Sequence, residues 1–481
     1  MTKPSLPNAL WIGLLGLISL GLRVWHLGRF NELVFDEIYY VSFALDYLNQ
    51  TPSFDAHPPL GKYLIALGSW LASDPANWLH WPRLVVDGQT LSPVSFRWMN
   101  SLFGATLPLL VAALAYQLGR GYEGDRRWRF CLLAGSLMVL EGLTLVESRL
   151  ALINLYWLWF GLLGQVCWLA PKEAKSWTVG WRLAAGVALG ASVNVKWNGA
   201  GFWLGLVLWE LAAGRENNGH SPRSGPGLPG KKLPWPPLLI YLGLVPIITY
   251  GLLWLPHLRL TGESFATVHA NLWQAHQTIA ADDAPHPYCS AWYTWPLMLR
   301  PVAYFHKGVG GTDGGAMLAP YRAYGDTIFT IQSMGNPALW WLSTASVLGL
   351  GLSQIGRWRT RASQSQSLSA QRPNPGHFHG EGRSFVAGFI LINYLANWLP
   401  WMLVSRCTFL YHALGMVIFS ALALAWLLAR WLDSRYRFHR LLAWMMLGII
   451  ALSFWFWLPV FLGSPLSPEA LQRRWWLPSW I

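Results

Sequence analysis

Residues 34–68, VFDEIYYVSFALDYLNQTPSFDAHPPLGKYLIALG, concentrate ionisable side chains in a chain of which only 12% of residues are charged. These side chains are Asp36, Glu37, Asp55, His57 and Lys62. Adjacent carboxylates near an apolar surface push one pKa upward, and a raised pKa suits a general base that works near neutral pH. The stretch therefore carries the residue types needed for proton abstraction.

A short helix is predicted directly after Phe35, and it offers a simpler explanation for Asp36. Apolar residues recur there at helical spacing, at Ile38, Val41, Leu45 and Leu48. About three turns are too short to span a membrane. Asp36 stands at the N-cap, where its carboxylate could accept the free N–H groups of the first turn. Tyr39 cannot complete a capping box, and capping leaves Glu37 unexplained, so both interpretations of Asp36 stay open.

The string HPPLGK predicts a second amphipathic helix. Pro58 and Pro59 exclude a helix through His57, whereas Pro59 suits a first helical position. Lys62 would then lie near a helix N-terminus, which the helix dipole disfavours unless an anion is close. An isolated His or Lys in a loop is usually only solvated, so the importance of His57 and Lys62 depends on the residues around them.

The composition of the whole chain is typical of a polytopic membrane protein. Of its 481 residues, 53% are hydrophobic. Roughly 11 apolar runs are long enough to cross a hydrocarbon core of about 30 Å. They lie at about 9–25, 94–118, 130–147, 150–170, 177–195, 197–213, 237–256, 337–356, 385–404, 407–430 and 441–462. The net charge of +13 comes from Lys and Arg in short loops, which favours membrane topology over nucleic-acid binding. We therefore predict an all-α polytopic membrane protein.

The loops between the apolar runs indicate the orientation. Lys and Arg concentrate in alternate loops, which places the N-terminus inside and makes the first run an uncleaved span. Two long segments, 26–93 and 257–336, then lie outside and carry aromatic residues, prolines and mixed charges. Loops of that length are usually functional. We divide the chain into an N-terminal membrane half (1–256, with outer loop 26–93), an outer loop (257–336) and a C-terminal membrane half (337–481).

Three cations stand at the outer ends of apolar runs, namely Arg149, Lys196 and Arg406. Each alone could extend its side chain to the membrane interface. Together, on the face that also carries the acidic pair, they suggest an anionic site at the bilayer edge, where a lipid phosphate lies. A carboxylate base and cations that hold a phosphate leaving group are what glycosyl transfer from a polyprenyl-phosphate sugar requires.

The alternative from another functional class is a transporter or lipid flippase, with the same cations along a substrate path. That function predicts charges deep within spans, paired broken helices and internal repeats. The charges lie at span ends on one side and no repeat is evident, which favours an enzyme at the interface.

The four cysteines do not suggest a disulfide framework, because they are few and scattered. Cys131 and Cys167 fall in apolar runs, Cys289 in a polar loop and Cys407 at a span edge. We expect structural or inert thiols.

Seven strings resemble the protein O-mannosyltransferases in the order found in that family. They are FDEIYY, HPPLGKYLI, ESRLAL, NVKWNG, HPYCSAWYTWPLMLRPVAYF at 286–305, GNPALWW at 335–341, and NYLANWLPW with SRCTFLYHALG at 393–415. The resemblance covers nearly the whole chain. It implies the GT-C fold, with about 11 transmembrane helices and two long outer loops that carry amphipathic helices.

The resemblance also implies roles for individual residues. Asp36 matches the general base that deprotonates the acceptor Ser or Thr, and Glu37 is its neighbour in the motif. The matched positions for donor or acceptor binding are His57, Arg149, Lys196 and Arg406, with the cations at the phosphate and Lys62 a further candidate nearby. In the second outer loop, His286 and Arg300 are candidates on the acceptor side. His412 is a candidate that could equally be a core residue.

Two departures from the family pattern matter. Many members have an Asp five residues after the Arg of the ESR string, and here Asn154 stands in its place, which removes a negative charge near Arg149. Eukaryotic members insert a soluble domain in the outer loop, and 257–336 is too short to contain one. The chain thus looks like a bacterial member in the cytoplasmic membrane, with its site on the outer face.

The expected donor is a polyprenyl-phosphate mannose lipid, and the expected acceptor is a Ser/Thr-containing protein, which could be reached during translocation. A related enzyme with a lipid or glycan acceptor is the nearest alternative. A divalent metal at Asp36 and Glu37 is a further alternative, but there is no His-rich ligand set, and Arg and Lys already supply positive charge. We expect no required metal or other cofactor and no nucleic-acid partner.

Overall fold

The computed structural model describes residues 6–72, 83–122, 125–170, 177–216, 235–278, 286–309, 327–367 and 378–480. Its helices are α1 (Leu6–Val24), α2 (Glu37–Leu48), α3 (Leu60–Leu71), α4 (Pro93–Leu118), α5 (Asp125–Val139), α6 (Gly142–Glu147), α7 (Asn154–Leu169), α8 (Thr178–Val195), α9 (Ala200–Glu216), α10 (Trp235–Thr261), α11 (Phe265–Thr278), α12 (Pro337–Ser367), α13 (Phe378–Trp398), α14 (Leu414–Leu432), α15 (Arg437–Leu462) and α16 (Pro468–Gln472). Short 3-10 turns include Trp197–Gly199, Trp292–Leu297, Leu399–Leu403 and Leu410–Ala413. The predicted helical class is confirmed.

Helices coincide with all the predicted apolar runs, although they do not all have the length of a membrane span. Among the described helices, 7 are both long and apolar enough to cross a membrane: Leu6–Val24, Pro93–Gly121, Trp235–Thr261, Pro337–Arg357, Phe385–Leu403, Leu410–Leu432 and Arg437–Leu462. The other runs form helices of 15 to 18 residues, α5 and α7 to α9. The predicted chain of multiple apolar helices is confirmed, whereas the number 11 remains a prediction.

The best-buried of these helices is α14. In its most apolar window 94% of the residues are buried, compared with 17% in α1 and in α10. It packs against α5, α12, α13 and α15, which therefore surround it. Since α1 and α10 expose apolar side chains such as Leu17 and Ile247, they present the surface that lipid would cover.

The first outer loop folds into the two predicted amphipathic helices, α2 and α3. The second begins at Leu60, one residue after the predicted start, with Pro59 as its N-cap. Gly61 allows the start of α3 to approach the chain closely, because a Cβ there would lie 2.7 Å from Ile153 Cγ2. The glycine thus brings the HPPLGK string against the start of α7. Residues 73–82 of this loop lie outside the described part of the chain.

The second outer loop contains α11, an amphipathic helix as predicted, and also a hairpin that the sequence analysis did not foresee. Strand β3 (Val302–Val309) pairs antiparallel with β4 (Thr327–Ser333), from Val302 opposite Ser333 to Val309 opposite Thr327. A smaller hairpin, β1 (Leu84–Val86) with β2 (Gln89–Leu91), precedes α4. Residues 279–285 and 310–326 of the loop are outside the described ranges. The hairpin brings Tyr304 to the site described below.

A disulfide bond joins Cys289 to Cys407, across a sequence separation of 118 residues. The expectation that all four cysteines are thiols was therefore wrong for this pair, because spacing along the chain does not report spatial proximity. Cys131 and Cys167 are free and buried, as expected.

Candidate active site

Packing of α7 against α8 determines where the polar span ends meet. The two helices are consecutive and antiparallel, so the first residue of α7, Asn154, lies beside Lys196, which follows the last residue of α8. Lys196 has extended backbone (φ −158°, ψ 140°), which ends α8. Its Nζ donates a hydrogen bond to Asn154 Oδ1 at 3.0 Å, and only 4% of Lys196 is exposed.

Asp36 immediately precedes α2, yet it does not act as a side-chain cap. It occupies the N-cap position without a side-chain cap hydrogen bond. The preceding Phe35 has φ 55°, a left-handed conformation that is strained for a bulky residue. The Asp36 carboxylate interacts electrostatically with Lys196 and Asp55. The capping interpretation of Asp36 is therefore wrong, and its carboxylate belongs to a polar group that includes Lys196.

Burial shifts the pKa values of Asp36 and Lys196 in opposite directions. Burial raises the pKa of Asp36 to about 6, and the charge of Lys196 opposes that shift. Burial lowers the pKa of Lys196 to about 8, with a further lowering from Arg406 and an opposing effect from Asp36. A carboxylate with a pKa near 6 is ionised at neutral pH but still basic enough to take up a proton.

Glu37 has a different environment from its neighbour. Its carboxylate forms an ion pair with Arg97, with Nη2 2.6 Å from Oε2 and Nε 2.8 Å from Oε1. It also accepts from the backbone N–H groups of Val34 at 2.9 Å and Ala151 at 2.8 Å. Both oxygens are thus occupied in a site where Glu37 is 0% exposed. This geometry gives Glu37 a structural place beside Asp36 rather than contact with a substrate.

Lys62 binds the loop that carries His57. Its Nζ donates to Asp55 Oδ2 at 2.6 Å and to the His57 carbonyl oxygen at 2.8 Å, and it is almost fully buried. The His57 ring lies 5.8 Å from the ring of His276 on α11 and 6.5 Å from that of Tyr40. Lys62 therefore holds the loop, whereas His57 faces the group around Asp36.

The two histidines are neutral at physiological pH. Burial and the nearby charge of Arg406 and Lys196 lower the pKa of His276 to about 4. Burial, followed by Lys196, also lowers the pKa of His57 well below its ordinary value. A neutral imidazole offers one donor and one acceptor. Both rings are therefore suited to hydroxyl groups rather than to electrostatic capture of a phosphate.

Arg406 lies on the segment that the disulfide fastens. Its Nη1 donates to the Cys407 carbonyl oxygen at 3.3 Å, and its charge acts on Lys196 and His57. Next to the disulfide, Ser290 N–H donates to the Thr408 carbonyl oxygen at 2.8 Å. The second outer loop is thereby connected to the Arg406 segment.

His412 is buried nearby, as a core histidine would be. Its Nδ1 accepts from the Phe409 N–H at 3.0 Å, and its ring stacks against Trp295 with centroids 6.1 Å apart. Its charge neighbours are Lys196 and Arg406, so it lies near the cationic side of the site.

Arg149 belongs to a different group. Its Nη1 donates to the carbonyl oxygens of Leu22 and Arg23 at 2.9 and 3.0 Å, at the C-terminus of α1. Its electrostatic neighbours are Arg29, Arg97 and Arg23. Its described hydrogen bonds therefore satisfy carbonyls at a helix end, as C-terminal cations do. The expected trio of cations is divided, and Lys196 and Arg406 remain together.

His286 and Arg300 lie in the second outer loop, and their described contacts are with that loop, with Phe409 and with the C-terminal segment. His286 is exposed and its ring lies 5.3 Å from that of Phe409. Arg300 donates to the carbonyl oxygens of Pro287 at 2.7 Å and Ser479 at 2.9 Å. Arg300 thus ties the loop to the C-terminal segment.

Sequence reasoning missed three members of the group. Glu147 and Tyr304 are two of them: Glu147 Oε1 accepts from the Tyr304 hydroxyl. Glu147 Oε2 accepts from Asn154 Nδ2 at 3.2 Å. His276 lies near His57. Glu147 stands in the ESR string, so a signal for it existed. Tyr304 and His276 lie on elements whose patterns do not report what faces them.

No three His, Cys, Asp or Glu side chains in the described part of the chain are grouped as metal ligands. The chemistry that these residues offer is that of a half-buried carboxylate, two cations and neutral imidazoles grouped together. Such a site can accept a proton and stabilise an anionic leaving group.

Comparisons with known proteins identify the family. The model of the "Dolichyl-phosphate-mannose-protein mannosyltransferase" family matches residues 13–257, and that of the "C-terminal four TMM region of protein-O-mannosyltransferase" matches residues 261–480. The polyprenol-phosphate-mannose–protein mannosyltransferase of Mycolicibacterium smegmatis (strain MKD8) is 25% identical over 516 residues, which cover 93% of this chain and 87% of that protein. Its counterpart in Mycobacterium tuberculosis (strain CDC 1551 / Oshkosh) is 24% identical, with coverage of 98% and 92%.

A solved structure shares the fold across the entire chain. It is the S. cerevisiae protein O-mannosyltransferase Pmt1-Pmt2 complex bound to the sugar donor, with a TM-score of 0.77 and 15% sequence identity. The alignment covers 100% of this chain and 93% of that one. With both family models matching and this fold, the chain belongs to the dolichyl-phosphate-mannose-protein mannosyltransferase family and is a multi-pass membrane glycosyltransferase of the GT-C fold.

Proposed function

We propose that, in the mannosyl transfer characteristic of its family, Asp36 is the general base and Lys196 with Arg406 binds the donor phosphate. The donor is a polyprenyl-phosphate mannose and the acceptor is a Ser or Thr hydroxyl of a protein. The observation that carries the proposal is the grouping of Asp36 with two cations, Lys196 and Arg406. Asp36 is a carboxylate that does not cap its helix, and the two cations are buried and half-buried, respectively.

The reaction balances with these groups alone. The acceptor O–H gives its proton to the Asp36 carboxylate as its oxygen attacks C1 of mannose. The C1–O bond to phosphate breaks, and its electron pair leaves with the phosphate oxygen. Attack and departure occur on opposite faces of the sugar, so the configuration at C1 inverts. The charges of Lys196, which is buried, and of Arg406, which is half-buried, stabilise the departing phosphate.

His57 and His276 contribute polarity without charge in this proposal. Because both imidazoles are neutral, they can exchange hydrogen bonds with sugar or acceptor hydroxyls without competing for the phosphate. Trp197, with its ring 5.3 Å from that of His276, adds an apolar face beside them.

The site is proposed to face the outside of a bacterial cytoplasmic membrane. The distribution of Lys and Arg favours this orientation. The disulfide between Cys289 and Cys407 adds independent support, because disulfides persist in oxidising compartments outside the cytoplasm.

We also propose that no metal or other cofactor takes part, since Lys196 and Arg406 already supply positive charge where the phosphate departs. Transfer should continue in the presence of a divalent-metal chelator. Loss of transfer in chelator, restored by one added cation, would contradict this part of the mechanism.

Purified protein in lipid nanodiscs tests the function directly. It is incubated with polyprenyl-phosphate mannose carrying a labelled sugar and with a Ser/Thr-rich peptide, and the label is followed in peptide and lipid fractions. We expect labelled peptide, and no label in a matched peptide with Ala in place of Ser and Thr. Label that enters only a lipid or glycan fraction would contradict a protein acceptor.

A further inference from the structure

A chain of buried hydrogen bonds leads from strand β3 to the ammonium of Lys196. The Tyr304 hydroxyl donates to Glu147 Oε1, and Asn154 Nδ2 donates to Glu147 Oε2 at 3.2 Å. Lys196 Nζ donates to Asn154 Oδ1 at 3.0 Å. The four side chains are between 0% and 5% exposed. Elements that are far apart in the sequence therefore converge on one cation.

The direction of each bond in this chain is determined by chemistry. An ammonium can only donate, so the Asn154 amide must turn its oxygen toward Lys196 and its NH₂ toward Glu147. Glu147 must then accept from the amide, and it also accepts from Tyr304. The orientation of Asn154, and with it the acceptor offered to Lys196, thus depends on the Glu147 carboxylate.

Lys196 needs such a partner because several charges act on it. Those that act on its ammonium are Arg406, Asp36, Glu147 and Asp55, and its own charge acts on His57, His276 and His412. A lysine stem is flexible and its ammonium is a compact point charge. A direct ion pair with Asp36 would stabilise the ionised carboxylate and reduce its basicity. Among the described ion pairs there is none between Lys196 and Asp36, and the ammonium is instead bonded to a neutral amide.

We propose that Glu147 is a positioning residue that, through Asn154, holds the Lys196 ammonium where it can bind the donor phosphate without pairing with Asp36. The inference rests on the proposed function, because it specifies how one of the two phosphate-binding cations is aimed. It also gives Asn154 a task, since its neutral amide is the link through which the Glu147 carboxylate acts on Lys196.

Glu147→Gln tests the proposal, and Glu141→Gln is its matched control. Glu141 is also a fully buried glutamate. It is the N-cap residue of α6, whereas Glu147 is the last residue of that helix, and it accepts from the N–H groups of Leu143 and Thr144. In Glu147→Gln the side chain has one acceptor oxygen and one NH₂ group in place of two acceptor oxygens and a negative charge, so Asn154 is held less firmly with its oxygen toward Lys196. The same substitution at Glu141 leaves Asn154 and Lys196 unchanged.

Two quantities are measured on each protein in nanodiscs: the Kd for polyprenyl phosphate, and the pH dependence of kcat/KM for transfer. In Glu147→Gln we expect the Kd to rise at least about tenfold, the size of a lost hydrogen bond to a charged group. We also expect the alkaline limb of the pH profile to move to lower pH, because a negative charge that favours the Lys196 ammonium has been removed. Glu141→Gln should lower thermal stability but change neither quantity.

A folded Glu147→Gln protein whose Kd and alkaline limb match those of Glu141→Gln would overturn the proposal and leave Glu147 a purely structural anchor of β3. If Glu147→Gln does not fold, Asn154→Ala decides, since it removes the acceptor of Lys196 while keeping the negative charge of Glu147. The rise in Kd is then expected without the shift of the alkaline limb, and a Kd equal to that of Glu141→Gln would overturn the proposal. The Kd does not depend on turnover. Absence of mannose transfer by the unsubstituted protein would therefore reject the proposed function, whereas the Kd comparison would still decide the role of Glu147.

Discussion

Glu37, the residue directly after Asp36, forms a fully buried ion pair with Arg97, with Oε2 and Nη2 2.6 Å apart. Because of this ion pair, the two adjacent carboxylates have different environments. Glu37 joins the start of α2 to α4 through Arg97 and to the loop before α7 through the Ala151 N–H. Asp36 is left to face Lys196. Of this adjacent acidic pair, Glu37 thus has a structural place, and Asp36 is the carboxylate proposed to react.

Glu37→Gln should therefore act mainly on stability. It leaves the Arg97 guanidinium buried without a counter-charge, which typically costs about 3 to 5 kcal/mol. Thermal unfolding of the detergent-solubilised protein measures the loss. Glu32→Gln is the matched control, because Glu32 pairs with Lys307 at the surface, where such pairs contribute about 0 to 1 kcal/mol. Equal stability losses in the two variants would contradict the assigned role of Glu37.

Asp36→Asn should remove nearly all transfer while the protein stays folded and still binds polyprenyl phosphate. The Asn amide cannot take up the proton of the Ser or Thr hydroxyl, so kcat should fall by about a hundredfold to ten-thousandfold. Asp46→Asn, a change of the same kind near the other end of α2, should leave kcat unchanged. Near-normal transfer by Asp36→Asn would remove Asp36 from the role of base.

The pH profile of kcat/KM should be bell-shaped. The pKa of Asp36 is raised to about 6, so below that pH the carboxylate is protonated and cannot act as a base. The pKa of Lys196 is lowered to about 8, so above that pH the ammonium proposed to bind the phosphate is lost. Lys196→Arg keeps its charge far above that pH and should remove the alkaline limb while retaining the acidic one. An alkaline limb that persists in Lys196→Arg would show that another group causes it.

Arg406→Ala should weaken use of the donor. Removing a charge-assisted contact with the phosphate should raise the KM for polyprenyl-phosphate mannose by about tenfold or more, with little change in the KM for the acceptor peptide. Arg406→Lys keeps the charge and should recover part of the loss. An effect confined to the acceptor KM would contradict the assignment of Arg406 to the phosphate.

The disulfide should support both stability and donor binding. In the chain-entropy view, a crosslink that closes a loop of this length stabilises by up to about 5 kcal/mol. Replacing both Cys289 and Cys407 with Ser should lower the melting temperature and raise the donor KM, because the segment that carries Arg406 loses its attachment to the second outer loop. The control is Cys131→Ser, since that thiol is free. An unchanged donor KM in the double variant would limit the bond to a stabilising role.

How far the sequence predicts the site is clear from the first outer loop. Helical periodicity and the Pro58-Pro59 pair predicted the starts of α2 and α3 to within one residue, because these signals act between neighbours along the chain. The same residues did not reveal that Lys62 is held by Asp55 and the His57 carbonyl oxygen. A charge near a helix start has many possible partners, and only packing selects among them.

By itself, the sequence determined the apolar helices, the two long loops between them and the set of polar residues near the span ends, since these follow from local hydrophobicity. The orientation, with both loops outside, is a prediction from the charges near span ends. Tertiary structure alone decided which of the polar residues meet. Lys196 lies beside Asn154, and Arg149 lies at the end of α1 rather than with the other two cations. It also joined cysteines 118 residues apart. The physical reason is that such contacts depend on how helices far apart in the chain pack, and periodicity carries no information about that packing.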